Sequence, residues 1–185
     1  LRGGQVDALD LLRAPAGLAL DDAAVADELF ALLLAGHETT ATALAWALAL
    51  LARDPAAAAA IADEAGGEDR PHLDAVISEV LRVRPPLVDT VRELAEPAEV
   101  GGRRLAAGSL ILIPPPLVHR HGHVDPDVFV ADRFLARRPD PRTWLPFGGG
   151  DRRCLGASLA LMELREVLAF IVDRFVVQPA DRRPE

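Results

Sequence analysis

One long helical pattern, from Asp22 to about Ala52, limits what this chain can fold into more than any other feature. Asp21 or Asp22 suits the cap, and Asp27 and Glu28 suit the positively polarised early turns. Asp54-Pro55 stops the pattern. Some thirty residues at 1.5 Å each reach about 45 Å. A helix of that length and composition either crosses a membrane or runs through the core of a mainly helical body. Leu29 to Leu51 is apolar enough for a span, but His37-Glu38-Thr39-Thr40 lies at its centre. Polar groups at mid-bilayer cost several kcal/mol. A core helix is therefore expected, with no membrane segment. As plain structure the polar residues are an exposed break in that helix. A buried apolar helix has no structural need of them, however, and Gly36 beside them lowers helix stability by roughly 0.5–1 kcal/mol. A polar notch kept for function is the better reading.

A second stretch, Phe147 to Gly156, reads FGGGDRRCLG and holds Cys154, the one cysteine in 185 residues. A lone thiol is usually a small buried hydrophobe. Here glycines crowd ahead of it, Arg152 and Arg153 precede it, and an amphipathic helical pattern follows. Amide N–H groups and the positive end of a helix dipole both favour a thiolate. A thiolate so held is a nucleophile or an axial metal ligand. One cysteine rules out an intrachain disulfide framework and fits a reducing compartment, so a cytoplasmic location is expected. Leu1-Arg2-Gly3-Gly4 lacks the apolar segment of a signal peptide. A formal net charge of −8 argues against a nucleic-acid partner, whose footprint would be basic.

The rest of the chain alternates helices, short strands and turns. Val6, Leu9, Leu11 and Leu12 suit the end of one short helix, closed by Pro15 and Gly17. Pro55 to Glu64 suits an alanine-rich helix, broken by Gly66-Gly67. Pro71 opens a helix to about residue 84, with Leu73, Val76, Ile77, Val80 and Leu81 on one face. Glu79 and Arg82 lie three apart on it, which alone suggests only an exposed ion pair worth a few tenths of a kcal/mol. Strand-like segments fill 90–113: Thr90 to Leu94, a hairpin turning at Gly101-Gly102, and Ser109 to Ile113. The stretch from His119 to Trp144 has little periodicity. His121-Gly122-His123 has no third metal ligand at useful spacing and reads as a solvated loop. Leu155 to Arg174 suits the last helix, with Leu159, Met162, Leu164, Leu168, Ile171 and Val172 on a broad apolar side. Phe175 to Val177 suits a terminal strand.

Taken together, these segments match three motifs in one order, and the chain resembles the C-terminal half of a cytochrome P-450, a haem-thiolate monooxygenase. F-x-x-G-x-R-x-C-x-G is matched in full by Phe147, Gly150, Arg152, Cys154 and Gly156. Ala/Gly-Gly-x-Asp/Glu-Thr is matched by Ala35, Gly36, Glu38 and Thr39. E-x-x-R is matched by Glu79 and Arg82, followed by Pro85-Pro86. Asp132-Arg133-Phe134 matches a later arginine motif, with Ala131 where proline is usual. The fold implied is mainly α with small β-sheets. A long oxygen-activating helix (about 22–52) and the E-x-x-R helix (71–84) are followed by β segments (90–113). A meander and haem-ligand loop (120–156) and a last helix (155–174) complete it. The resemblance also implies that an N-terminal half of such a protein lies outside this chain.

The same resemblance implies haem b as cofactor, with Cys154 as the proximal thiolate ligand of its iron. Phe147 would pack beside that sulfur. Gly148, Gly150 and Gly156 would let backbone N–H groups approach it. Arg152 and Arg92 would meet the haem propionates. Glu79, Arg82 and Arg133 would form a buried charge network that holds the meander. On the opposite face, Gly36 would leave a gap beside the iron, Thr39 would hydrogen-bond dioxygen and a water, and Glu38 would relay protons. The partners implied are O2, a small organic substrate and a separate ferredoxin- or flavodoxin-type electron donor. Arg137, Arg138, Arg142, Arg152 and Arg153 would suit an acidic docking partner. The alternative expectation is a truncated, non-catalytic haem-binding fragment, and a peroxygenase or isomerase use of the fold is a third.

Overall fold

The computed structural model of the chain describes residues 21–64 and 66–179. The short helix expected before residue 20 lies outside them. Two compact units are present, Leu1–Glu38 and Thr39–Glu185.

Helix α1 (Asp22–Leu51) is unbroken. The Asp21 carboxylate caps it by accepting from the Ala24 N–H at 2.8 Å. His37 to Thr40 are helical throughout and make no break in α1. Threonine and histidine are only mildly unfavourable in helices, and the leucines and alanines on either side carry the backbone through. In the first unit Val25 is buried, while Phe30, Leu33 and Leu34 are exposed.

The second unit builds the core. Ala43, Ala47 and Leu51, one turn apart, turn a buried face toward it. Their small size lets other helices come close. Helix α2 (Pro55–Asp63) is capped by the Asp54 carboxylate and buries Ala57 and Ile61. Helix α3 (Pro71–Val83) buries Leu73, Val76, Ile77, Val80 and Leu81, the face its periodicity predicts. Helix α3 is followed by strand β1 (Thr90–Glu93), hairpin strands β2 (Ala98–Val100) and β3 (Arg103–Leu105), strand β4 (Leu110–Ile113) and a short helix α4 (Pro115–Val118). Strand β1 pairs antiparallel with β4, Thr90 opposite Ile113, and β2 pairs with β3 across Gly101-Gly102. Two 3-10 turns follow, Ala131–Phe134 and Gly150–Arg152, then helix α5 (Ala157–Arg174). The chain is thus mainly helical with small antiparallel sheets.

Three local expectations are corrected. Helix α5 starts at Ala157 with Gly156 as its cap residue, so Leu155, 91% exposed, lies outside it. Its apolar side is split: Leu164, Leu168 and Val172 are buried, whereas Leu159 and Met162 are more than half exposed. One stripe cannot face the core over so wide an arc, and the core takes only the side toward α2 and α3. Phe175 to Val177 is extended but forms no strand, because the described residues offer its backbone no ladder; the Phe175 N–H closes α5 on the Ile171 carbonyl.

Candidate functional site

The cysteine loop is set by backbone bonds. The Gly148 N–H donates to the Leu145 carbonyl at 3.0 Å, and the Arg153 N–H to the Gly150 carbonyl at 3.1 Å. The Cys154 N–H then closes the loop on the Phe147 carbonyl at 2.8 Å. Gly148 and Gly150 hold φ of +68° and +64°, a region that L side chains rarely adopt, so the glycines are required by the backbone. Cys154 itself is a free, exposed thiol. Arg152 and Arg153 are exposed beside it. Leu155, Leu159 and Met162 continue from it as an exposed apolar ridge. The Phe147 ring meets Trp144 edge to face at 6.1 Å, and the Trp144 indole N–H donates to the Ser78 carbonyl at 2.9 Å.

Beneath the loop lies a buried charge network. Glu79 is 0% exposed and Arg82 2%. The Glu79 carboxylate accepts from Arg82 Nε at 2.7 Å and Nη2 at 2.8 Å, a bidentate pair. It also accepts from Arg133 Nε at 2.9 Å and the Val130 N–H at 3.0 Å. The remaining guanidinium N–H groups go to backbone carbonyls: Arg82 to Pro126 at 2.6 Å and Val128 at 3.2 Å, Arg133 to Val124 at 2.9 Å. An aperiodic loop is thereby tied to α3. The exposed-pair reading of Glu79 and Arg82 fails because their side of α3 faces this loop and not solvent.

The resemblance places His119 near the proximal region without giving it a role, and His123 reads only as part of a solvated loop. His119 is fully buried; its Nδ1 lies 3.0 Å from the Arg82 carbonyl, and its Nε2 accepts from the Leu145 N–H at 2.8 Å. His121 is exposed, as a solvated loop requires, but His123 is not: its ring packs edge to face on Phe134 at 5.8 Å, and its Nδ1 is buried without a hydrogen-bond partner. The only local signal for His119 is a histidine following Pro114-Pro115-Pro116, a segment whose backbone cannot supply its own N–H bonds.

Burial pushes the His119 imidazole below its ordinary 6.5, with the Arg82 charge and His123 acting the same way and the bond to the Arg82 carbonyl opposing. Burial also lowers His123, followed by the charges of Arg82, Arg133 and Arg137, with Glu79 opposing. Both histidines bind protons more weakly folded than unfolded. Their contribution to stability is therefore full above pH 6.5 and is lost as pH falls below that value through the folded-state ones. Urea midpoints should fall on acidification from about pH 7.5 to 5, and His123→Phe should flatten the slope. An unchanged slope in that variant would remove His123 from the effect.

Other residues singled out in the sequence lie apart from these bonds. Arg92 is exposed on β1 and donates to Thr90 Oγ1 at 2.9 Å and the Val91 carbonyl at 2.8 Å. Arg142 pairs with Asp140 at 2.9 Å and holds that carboxyl at about 2, so its charge is already matched, unlike those of the exposed Arg137 and Arg138 in this respect. Gly36 and Glu38 belong to the first unit, and Thr39 opens the second. Among the described residues, a Cβ at Gly36 would meet nothing within 4 Å.

The donor set fits a haem. Among the described residues, no group of three or more His, Cys, Asp or Glu could hold a metal ion. Cys154 offers a soft sulfur of the kind that can ligate haem iron. The apolar ridge next to Cys154 suits the face of such a ring.

A family model described as "Cytochrome P450" matches residues 4–185. A Mycobacterium tuberculosis protein whose name contains "cytochrome P450 137" is 42% identical over 188 residues, 99% of this chain and 40% of the relative. A Mycobacterium bovis protein whose name contains "cytochrome P450 135B1" is 45% identical over 169 residues, 85% of this chain and 35% of the relative. "Cyclooctatin synthase" of Streptomyces melanosporofaciens is 41% identical over 180 residues, 88% of this chain and 39% of the relative. The chain thus spans about two fifths of the length of the curated relatives it matches.

Proposed function

Because this chain belongs to the cytochrome P450 family, whose cofactor is haem b, we propose that it is the haem-ligand portion of a monooxygenase. One atom of O2 enters a small organic substrate and the other leaves as water. A separate ferredoxin- or flavodoxin-type protein supplies the two electrons. A cytoplasmic location is part of the proposal; no single described helix is long and apolar enough to cross a membrane. The observation that carries the reading is Cys154: an exposed thiol, the one cysteine of the chain, on a loop closed by the Phe147 carbonyl.

Bound haem would supply the capacity to reduce and cleave O2, and Cys154 would hold it through a thiolate that donates electron density to the iron. Because its own N–H is committed to Phe147, the loop around the sulfur is kept in one shape without drawing on the sulfur's lone pairs. Phe147 and the exposed Leu155, Leu159 and Met162 keep the surroundings apolar. Arg152 and Arg92 would meet the haem propionates. Arg137, Arg138 and Arg153 offer charge to an acidic electron donor. Glu38 takes protons from solvent and Thr39 passes them on through its hydroxyl, while Gly36 leaves room for oxygen beside α1.

Thr39→Ala, assayed in the polypeptide as the cell makes it, should cut the fraction of electrons recovered in product by about tenfold. Electron consumption itself should change far less. Equal coupling in variant and parent would remove Thr39 from the mechanism. A non-catalytic haem-binding role would show no product in either, and the family relationship does not favour it.

A further inference from the structure

We propose that His119 is a positioning residue that carries the placement of helix α3 to the cysteine loop through both of its ring nitrogens. The inference deepens the reading above, since it takes that loop as the ligand loop.

The hydrogen-bond partners fix the form of the ring. A backbone N–H can only donate, so the nitrogen facing Leu145 at 2.8 Å, Nε2, must hold a lone pair. A backbone carbonyl can only accept, so the nitrogen facing Arg82 at 3.0 Å, Nδ1, must hold the proton. Only the neutral Nδ1–H tautomer satisfies both, and full burial leaves no water to replace either.

Each end of the bridge matters. The Arg82 carbonyl belongs to the last turn of α3, where carbonyls lack an intrahelical partner. His119 supplies one. Leu145 opens the turn that leads to Phe147, and its carbonyl accepts from Gly148 at 3.0 Å. Phe147 in turn receives the Cys154 N–H at 2.8 Å. A continuous path of bonds thus runs from Arg82 through His119 and Leu145 to the residue that bears the thiol. Its base is fixed, because the Arg82 guanidinium is locked by Glu79 and also reaches the His119 carbonyl at 3.4 Å. Trp144, bonded to Ser78 one turn earlier on α3, is the parallel tie on the same segment.

The test is hydrogen exchange resolved to single amides, with long-range nitrogen–proton spectra of the His119 ring. In the parent protein the spectra should show Nδ1 protonated and Nε2 accepting; a proton on Nε2 would overturn the proposal without any variant. His119→Phe should speed exchange at Leu145 and Cys154 at least tenfold while Leu164 and Leu168, in the core, stay within about twofold. His119→Gln keeps an acceptor near the Nε2 position and should restore Leu145 to within about threefold of the parent. Unchanged Leu145 exchange in His119→Phe, or equal acceleration of Leu164 and Leu168, would reduce His119 to an ordinary core residue. None of these readings needs haem, so the proposal can fail while the cofactor assignment stands, and the reverse.

Discussion

Glu79→Ala is expected to destabilise the folded chain by about 3–5 kcal/mol, the range for breaking a buried ion pair from one side. The carboxylate has no solvent to fall back on, being 0% exposed. Its loss strands the Arg82 guanidinium inside the core and removes the acceptor for Arg133 Nε and the Val130 N–H. Against a typical domain stability of about 5–15 kcal/mol, that is about a fifth of the whole or more. Glu79→Gln should cost less, since an amide oxygen still accepts. Replacing Glu79 and Arg82 together with leucine and methionine should cost less than the two single changes added, because the Arg82 guanidinium is then not left unpaired in the core, although Arg133 still loses its carboxylate partner. Urea denaturation of the parent, the single variants and the double variant measures this. A shift below about 1 kcal/mol for Glu79→Ala would mean that the network is decorative.

Cys154→Ala should have the opposite profile. The red-shifted Soret band of the reduced, carbon monoxide-treated protein should vanish altogether, because no other cysteine exists to supply a thiolate. Stability should change by less than about 1 kcal/mol. The thiol is exposed, and the bond that closes the loop is made by the Cys154 backbone, which alanine retains. A band that survived the change would mean that the iron ligand is not Cys154. The pair of variants separates holding the loop from using it.

The helices were legible in the sequence because their apolar residues recur at helical spacing and their ends carry Asp54-Pro55, Pro71 and Pro85-Pro86. The paired arginine and glutamate motifs were legible only through family resemblance; spacing alone suggested a surface pair. What could not be read was the order in 119–144. That stretch has no ladder and no periodicity, and its shape comes from side chains on α3 and from Arg133 reaching back to the carbonyls of Val124, Asp125 and Val128. The role of His119 could not be read for the same reason, since both of its partners are backbone atoms on other segments. The split of the α5 stripe was missed because periodicity shows that a face is apolar, not what covers it.

The network also sets an order of events in folding. Helix α3 is local and can form on the microsecond scale, but Arg82 finds the Pro126 carbonyl 44 residues later and Glu79 finds Arg133 54 residues later. On the ribosome, at about 5–20 residues per second, roughly 3–10 s separate the emergence of Glu79 from that of Arg133. During that interval the most deeply buried carboxylate of the finished fold is hydrated. The cysteine loop follows Arg133 in the chain, so its scaffold is complete only just before the thiol arrives. Nascent chains stalled between residues 100 and 130 should therefore lack an ordered meander.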